Sequence, residues 1–271
     1  MATFSFKGTD IYYEEHGTGE PLLILNGIFM SCASWAAFIP SFAKQNRLLL
    51  LDLLDQGKSG RSQAEYTQDV QVEVVLAFLQ HLGLAKTHVA GISYGGEVAM
   101  ALAARHPAVV DKLMLSNTAP YTSHWLRDIG HSWEYAFNSG DGHQFFKTCI
   151  PIVYSPQFYE KNYAWASARE ELFVELFTQD TYDAFGRLTR SAETHDVRAE
   201  LKNITAETLI ISSEYDYVTP LYQQQEMACE IPRAGHAVVQ GGGHALMYEK
   251  PAEFTALVLG FVNSGTDIQT V

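Results

Sequence analysis

Five short apolar runs recur along the chain without the regular polar alternation of a half-exposed strand. They are Leu22–Leu25, Arg47–Leu54, Thr87–Ile92, Lys112–Leu115 and Thr208–Ile211. Runs of this kind are typical of strands that are buried on both faces of a parallel sheet. Segments with helical periodicity separate them, namely Trp35–Lys44, Gln68–Leu82 and Gly95–His106. The alternation predicts an α/β fold with a mostly parallel, doubly wound sheet and helices on both of its faces.

The pattern changes after Asn117-Thr118-Ala119-Pro120. Residues 121–185 show helical periodicity without a convincing strand, and they hold 16 of the 33 aromatic residues of the chain. A helical insertion this rich in aromatic rings needs an apolar surface to cover, and such rings commonly line small-molecule pockets. We therefore expect a core domain of residues 1–120 and 199–271 with a helical cap, or lid, at residues 121–198. The expected partner is a small-molecule substrate with an apolar acyl or aromatic group.

Composition excludes several other classes of protein. The 271 residues, 47% of them hydrophobic, suffice for one large domain with an insertion. A net charge of −13 disfavours nucleic acid as a partner. No apolar run approaches the roughly 20 residues that span a bilayer, and the first residues do not resemble a signal peptide. Three widely separated cysteines indicate free thiols in the cytoplasm rather than disulfides or a metal site, whereas homo-oligomer formation stays open.

A G-x-S-x-G pattern at Gly91–Gly95 follows the run Thr87–Ile92 and opens the next helix. This is the strand–turn–helix context that the nucleophile elbow of a hydrolase requires. The two glycines remove side chains that would collide in so sharp a turn. The turn presents the hydroxyl of Ser93 above a helix N-terminus, where free N–H groups favour a developing oxyanion. Ser93 is the predicted nucleophile.

A serine hydroxyl becomes a good nucleophile only when a base takes its proton. His244 follows three glycines on a loop between the predicted strand Ala234–Gln240 and the last helix. Other histidines lie at a helix end, in the hairpin, within predicted strands, or in and beside the predicted cap. The position of His244 makes it the predicted base.

The base in turn needs a carboxylate to orient it. Asp216 stands just beyond the run Thr208–Ile211, at the edge of the sheet where Ser93 is expected. Glu214 is the nearest competitor, and a purely structural alternative is that Asp216 only caps the helix starting at Pro220. The order Ser93, Asp216, His244 is the one expected for a hydrolase on this kind of sheet.

The oxyanion hole is predicted from two backbone N–H groups. One belongs to Tyr94, directly after the nucleophile, and the other to Ile28, in the loop after the third strand. Gly27 would let the backbone of that loop come close to the substrate. An ordinary turn at Asn26-Gly27 is the structural alternative.

These motifs resemble those of the α/β-hydrolase fold superfamily, in particular its lactonase- and esterase-type members with a helical cap. The resemblance runs from Leu22 to Val262 and includes Gly91–Gly96, Asp52–Ser59, Asp216–Pro220 and Gly243-His244. It implies that a serine attacks an acyl carbonyl, that an acyl-enzyme forms, and that water releases the acid. It also implies that Ser93, His244 and Asp216 take the roles of nucleophile, base and orienting acid, with no cofactor and no metal.

Departures from the superfamily pattern reduce the number of reactions that the protein is expected to catalyse. Many relatives have His-Gly where this chain has Asn26-Gly27, and Ile28-Phe29 disfavours lipases of the His-Gly-Gly-Gly type. A serine at position 93 disfavours haloalkane dehalogenases and epoxide hydrolases, which place an aspartate there. The expected activity is hydrolysis of a carboxylic ester or lactone. Acyl transfer and carbon–carbon bond hydrolysis remain alternatives, and a ligand-binding receptor without turnover is disfavoured by the complete triad.

Overall fold

An eight-stranded sheet forms the centre of the protein in the computed structural model, which describes residues 2–176 and 178–265. Its strands are β1 (Ala2–Phe6), β2 (Thr9–His16), β3 (Glu20–Leu25), β4 (Asn46–Leu51), β5 (Thr87–Ile92), β6 (Val110–Ser116), β7 (Glu207–Tyr215) and β8 (Ala234–Gly243). They lie in the order β1-β2-β4-β3-β5-β6-β7-β8. Strand β2 pairs antiparallel with both β1 and β4, and β3 to β8 run parallel to one another. The predicted fold class is confirmed.

Helices cover the sheet and fill the segment between β6 and β7. They are α1 (Ile39–Phe42), α2 (Asp69–His81), α3 (Tyr94–Arg105), α4 (His124–Asn138), α5 (Gly142–Cys149), α6 (Pro156–Lys161), α7 (Tyr163–Leu176), α8 (Gln179–Ser191), α9 (Leu221–Glu230), α10 (Leu246–Glu249) and α11 (Pro251–Val262). Among the described residues, none of these helices combines the length and the apolar character needed to cross a lipid bilayer.

Both faces of the sheet are buried, as the continuous apolar runs predict. In β3, Leu23 and Leu25 belong to one apolar cluster, which includes side chains of α2 and α3. Leu22 and Ile24 belong to a second cluster, which includes side chains of α1 and α11. Successive side chains of a strand point to opposite faces, so a strand covered on both sides has no polar position to alternate with.

Two predicted elements are shorter in the structure. The strand predicted at Arg47–Leu54 ends at Leu51, and the helix predicted at Trp35–Lys44 is replaced by a 3₁₀ turn at Cys32–Trp35 and the short α1. Pro40 explains the second difference, because in a continuous helix its ring would clash with the preceding turn and leave one carbonyl without a donor.

The segment with α4 to α8 leaves the sheet after β6 and returns before β7, where Tyr121 and Asp196 form an isolated bridge. Its rings pack onto Phe29, in the loop after β3, with centroid distances of 4.9 Å to Trp133 and 5.2 Å to Phe185. Phe177, another aromatic residue of this segment, lies outside the described residues, as do positions 1 and 266–271 of the predicted core domain.

Candidate active site

Ser93 lies in the sharp turn between β5 and α3. Its backbone φ is 51°, in the left-handed region that non-glycine residues seldom adopt. A β-carbon on Gly91 would lie 2.5 Å from the carbonyl oxygen of Gly95, and one on Gly95 would lie 2.2 Å from that of Leu25. The turn can therefore form only with glycine at both positions, as the sequence pattern indicates.

His244 lies beside this turn, although 151 residues separate it from Ser93 along the chain. It follows β8 directly and is buried. Its Nε2 atom lies 2.9 Å from the Ser93 hydroxyl oxygen. The two predicted residues are thus within hydrogen-bond distance.

Asp216 completes the arrangement, because each of its carboxylate oxygens lies 3.0 Å from Nδ1 of His244. It also accepts hydrogen bonds of 2.9 Å from the backbone N–H groups of Val218 and Thr219. The carboxylate therefore both shapes the turn before α9 and contacts the imidazole. Glu214 instead accepts a hydrogen bond from the N–H of Gly241 at 2.8 Å, and its side chain is exposed.

Asn117 is a neighbour of His244 that sequence reasoning did not single out as part of the site. It is fully buried at the end of β6 and has a positive φ of 45°. Its side-chain amide donates to the carbonyl oxygens of His244 and Gly243 at 2.7 and 3.1 Å. The sequence did contain one sign of this role, namely an asparagine at the end of a buried strand. Asparagine tolerates a positive φ better than most residues do.

The loop after β3 contacts the nucleophile turn. A β-carbon at Gly27 would come within 3.5 Å of the Cβ atom of Ser93. The side chain of Asn26 braces the loop, accepting from Trp35 Nε1 at 2.7 Å and donating to the carbonyl of Leu51 at 2.8 Å. Asn26 thus ties this loop to Trp35 on one side and to the end of β4 on the other.

The two predicted oxyanion donors lie in this region. Ile28 and Tyr94 both line the cavity that contains Ser93. Within residues 2–176 and 178–265, neither backbone N–H donates a hydrogen bond to another protein atom. Both groups are therefore free to bind a ligand.

The cavity has a volume of about 850 Å³ and lies between the sheet edge and the helices of the segment after β6. Its lining is mainly apolar and includes Phe29, Trp133, Ile150, Phe173 and Val218. One wall contains Glu97, whose pKa burial raises to about 8, even though a hydrogen bond from Gln68 opposes the shift. Burial thus favours the protonated, uncharged form of Glu97.

Four of the arginines in or beside the helical segment have different surroundings. Arg187 pairs with buried Asp55 at 2.6 Å, and Arg190 pairs with Glu65 and Glu134. Arg127 and Arg169 line the cavity, and neither has a carboxylate partner within 4.0 Å in the part of the chain that is described.

Arg169 is the more confined of these two cavity arginines. Its guanidinium lies 4.3 Å from the ring centre of Trp165, and its Nε atom is buried without a hydrogen-bond partner among the described residues.

The model of the α/β hydrolase fold family matches residues 20–251. The chain belongs to the α/β hydrolase fold family. It is 43% identical to MGS-M2, an α/β hydrolase enzyme from a Medee basin deep-sea metagenome library, with a TM-score of 0.96 over 99% of this chain and all of that one. The family membership confirms the resemblance drawn from the motifs.

Relatives within this α/β hydrolase family differ in their reactions. The chain is 27% identical to the proposed carbamate hydrolase RutD of Azorhizobium caulinodans over 93% of this chain and 94% of that one. It is 28% identical to the 2-hydroxymuconate semialdehyde hydrolase of Pseudomonas sp. strain CF600 over 92% and 88%. Hydrolysis is the reaction class that these relatives share.

Proposed function

We propose that this protein is a serine hydrolase that cleaves a carboxylic ester or lactone through an acyl-enzyme intermediate. The observation that carries the proposal is the contact of 2.9 Å between the Ser93 hydroxyl and His244 Nε2 in the wall of the cavity. A base within hydrogen-bond distance of a serine hydroxyl is what nucleophilic catalysis by serine requires.

In the first half of the reaction, His244 Nε2 accepts the Ser93 proton while the Ser93 oxygen bonds to the acyl carbon. The C–O bond of the ester or lactone then breaks, and the imidazolium returns its proton to the leaving alkoxide. In the second half, His244 takes a proton from water as the water oxygen bonds to the acyl carbon. The bond between that carbon and the Ser93 oxygen then breaks, the imidazolium returns the proton to the Ser93 oxygen, and the acid is released. Asp216 contacts Nδ1, so it keeps the proton on that nitrogen and stabilises the imidazolium.

The negative oxygen of the tetrahedral intermediate would bind to the backbone N–H groups of Ile28 and Tyr94. Neither N–H has a partner in the described part of the chain, which supports this role, because an oxyanion hole needs donors that are already oriented and unoccupied. Tyr94 is also the first residue of α3, so the positive end of the helix dipole adds to the effect.

We further propose that residues 121–198 act as a cap on a core of residues 1–120 and 199–271. The packing of Trp133 and Phe185 on Phe29 supports this division, because Trp133 and Phe29 line the cavity that contains Ser93. Such a cover excludes water and favours an apolar acyl or aromatic group in the substrate.

The charges in the cavity point to a substrate that also bears a carboxylate. The protein has a net charge of −13, yet Arg127 and Arg169 line the cavity without a carboxylate partner among the described residues. The Glu193 carboxylate, which lines the same cavity, lies 3.5 Å from His131. A carboxylate of the substrate would supply the missing partner for Arg169.

Hydrolysis of a carbon–carbon bond is the second candidate, and the likeness to the 2-hydroxymuconate semialdehyde hydrolase favours it. The same three residues would serve either reaction. Acyl transfer to an alcohol is a variant of the main proposal in which water is excluded from the acyl-enzyme.

The deciding experiment combines a fluorophosphonate probe with a panel of p-nitrophenyl esters, lactones and vinylogous 1,5-diketones. Wild type should be labelled and should release acid from esters or lactones, whereas Ser93→Ala should do neither. Absence of labelling would refute the nucleophile. Turnover of the diketones alone would favour carbon–carbon cleavage, and acyl partition to added methanol would favour transfer.

A further inference from the structure

Gln56 lies beneath the loop that carries the proposed oxyanion donor Ile28. Its side chain is completely buried, and its Nε2 atom donates to the carbonyl oxygen of Gly27 at 3.0 Å. The carbonyl of Asn26 lies 3.4 Å from the same nitrogen. The other end of the amide is also engaged, because Gln56 Oε1 accepts from the N–H of Leu53 at 3.3 Å.

The direction of the Ile28 N–H follows from these contacts. In a trans peptide the carbonyl of one residue and the N–H of the next point in opposite directions. The Gly27 carbonyl is held on the core side by Gln56 and by the N–H of Met30, at 3.0 and 3.1 Å. The N–H of Ile28 must then face away from Gln56, toward the cavity that Ile28 and Ser93 line.

A rotation of the same peptide by about 180° would have the opposite effect. It would turn the Gly27 carbonyl oxygen toward the reacting centre and repel the developing negative charge. Gly27 has no side chain to hinder such a rotation, so the orientation depends on the groups that hold its carbonyl.

We infer that Gln56 is a positioning residue that holds the Gly27–Ile28 peptide in the orientation that stabilises the oxyanion. The inference rests on the proposed acyl-enzyme chemistry and adds a residue that does not touch the substrate. Loss of one oxyanion donor typically lowers kcat by about 100- to 1,000-fold, which sets the upper limit for the effect of Gln56.

Two variants test the inference. Gln56→Met removes the donor and keeps a similar shape, whereas Gln56→Glu also places a carboxylate beside the two carbonyls. We expect Gln56→Met to lower kcat by roughly 10- to 100-fold with KM changed less than threefold, and Gln56→Glu to lower kcat further. The inhibition constant of a trifluoromethyl ketone, which forms a tetrahedral oxyanion on Ser93, should rise by the same factor as kcat/KM falls.

Gln71 provides a matched control. It is also fully buried, and it makes the corresponding pair of hydrogen bonds with Leu54 in the same loop without contacting Gly27. Gln71→Met should lose stability but keep its kcat and its affinity for the ketone. The inference is overturned if folded Gln56→Met keeps wild-type kcat, or loses kcat without losing ketone affinity. Ser93→Ala separates the two proposals, because turnover by that variant refutes the acyl-enzyme itself.

Discussion

The side-chain amide of Asn117 donates a hydrogen bond of 2.7 Å to the main-chain carbonyl oxygen of His244. Both residues are buried, and Asn117 stands at the end of β6, next to the strand that precedes Ser93 in the sheet. The hydrogen bond ties the loop of the imidazole to the centre of the sheet. The Ser93–His244 distance therefore depends on a residue that contacts neither the hydroxyl nor the ring.

Replacing Asn117 by glycine should lower kcat by roughly 10- to 100-fold, because a small displacement of a base is costly to the reaction. Glycine keeps the positive φ of 45° without strain, so the effect reports the lost amide. Steady-state kinetics on a p-nitrophenyl ester provide the measurement. Asn117→Ala should show the same loss of kcat and, in addition, a lower melting temperature, and an unchanged kcat in folded Asn117→Gly would contradict the role.

Asp216→Asn should lower kcat by on the order of 10³- to 10⁴-fold. Its amide nitrogen can face Nδ1 of His244 only when that nitrogen carries no proton, and Nε2 then cannot accept the serine proton. Glu214→Gln should stay within about twofold, because its carbonyl still accepts from Gly241. The comparison uses kcat/KM for one ester, and a larger loss in Glu214→Gln would reassign the acid.

Arg169→Met should raise KM about 10- to 100-fold for an ester that bears a second carboxylate, and should leave its neutral methyl ester unaffected. An unpaired guanidinium is expected to contribute a charge-assisted hydrogen bond to that carboxylate. Arg198→Met is the control for overall charge, since it removes an exposed arginine that pairs with Asp196. Equal effects of the two variants, or equal effects on the two substrates, would contradict a carboxylate subsite.

Arg187→Met should reduce the free energy of unfolding by about 3 to 5 kcal/mol, because it leaves the carboxylate of Asp55 buried without its cationic partner. The double variant Asp55→Asn/Arg187→Met should recover much of this loss. Lys7→Met removes one half of an exposed pair with Glu73 and should cost less than about 1 kcal/mol. Urea unfolding measures all three, and no recovery in the double variant would rule out the unpaired charge as the cause.

Glu97→Gln should abolish a fall in stability toward alkaline pH. Burial raises the pKa of Glu97 to about 8 in the folded protein, compared with 4.5 ordinarily. Between these pH values the folded state binds the extra proton, so the free energy of unfolding falls as pH rises from about 5 to 9. Urea titrations at about pH 5 and pH 9 measure this fall in the free energy of unfolding. It should be larger in wild type than in Glu97→Gln by roughly 2 to 4 kcal/mol. An equal fall in the free energy of unfolding in wild type and Glu97→Gln would indicate that the pKa of Glu97 is not raised.

Local sequence patterns predicted the elements that short-range preferences control. The predicted run Thr87–Ile92 has the same bounds as β5. The strand predicted at Thr208–Ile211 extends to Tyr215, because pairing with β8 continues past the apolar positions. Its extra length brings Asp216 to the imidazole.

The polar side chains show most clearly what the sequence determines and what only the tertiary structure decides. The sequence alone predicted the nucleophile turn, because such a turn excludes side chains at positions 91 and 95. It also predicted the candidate triad, because the chemistry requires a hydroxyl, a carboxylate and an imidazole, which positions 93, 216 and 244 supply. Tertiary structure alone decided that Arg187 pairs with a carboxylate, whereas Arg169 meets none among the residues that the structure describes. It also decided that Asn117 and Gln56 hold the backbone of two loops. The reason is that these contacts join residues that lie far apart in the chain, and no local periodicity encodes which distant carbonyl or carboxylate a side chain will meet.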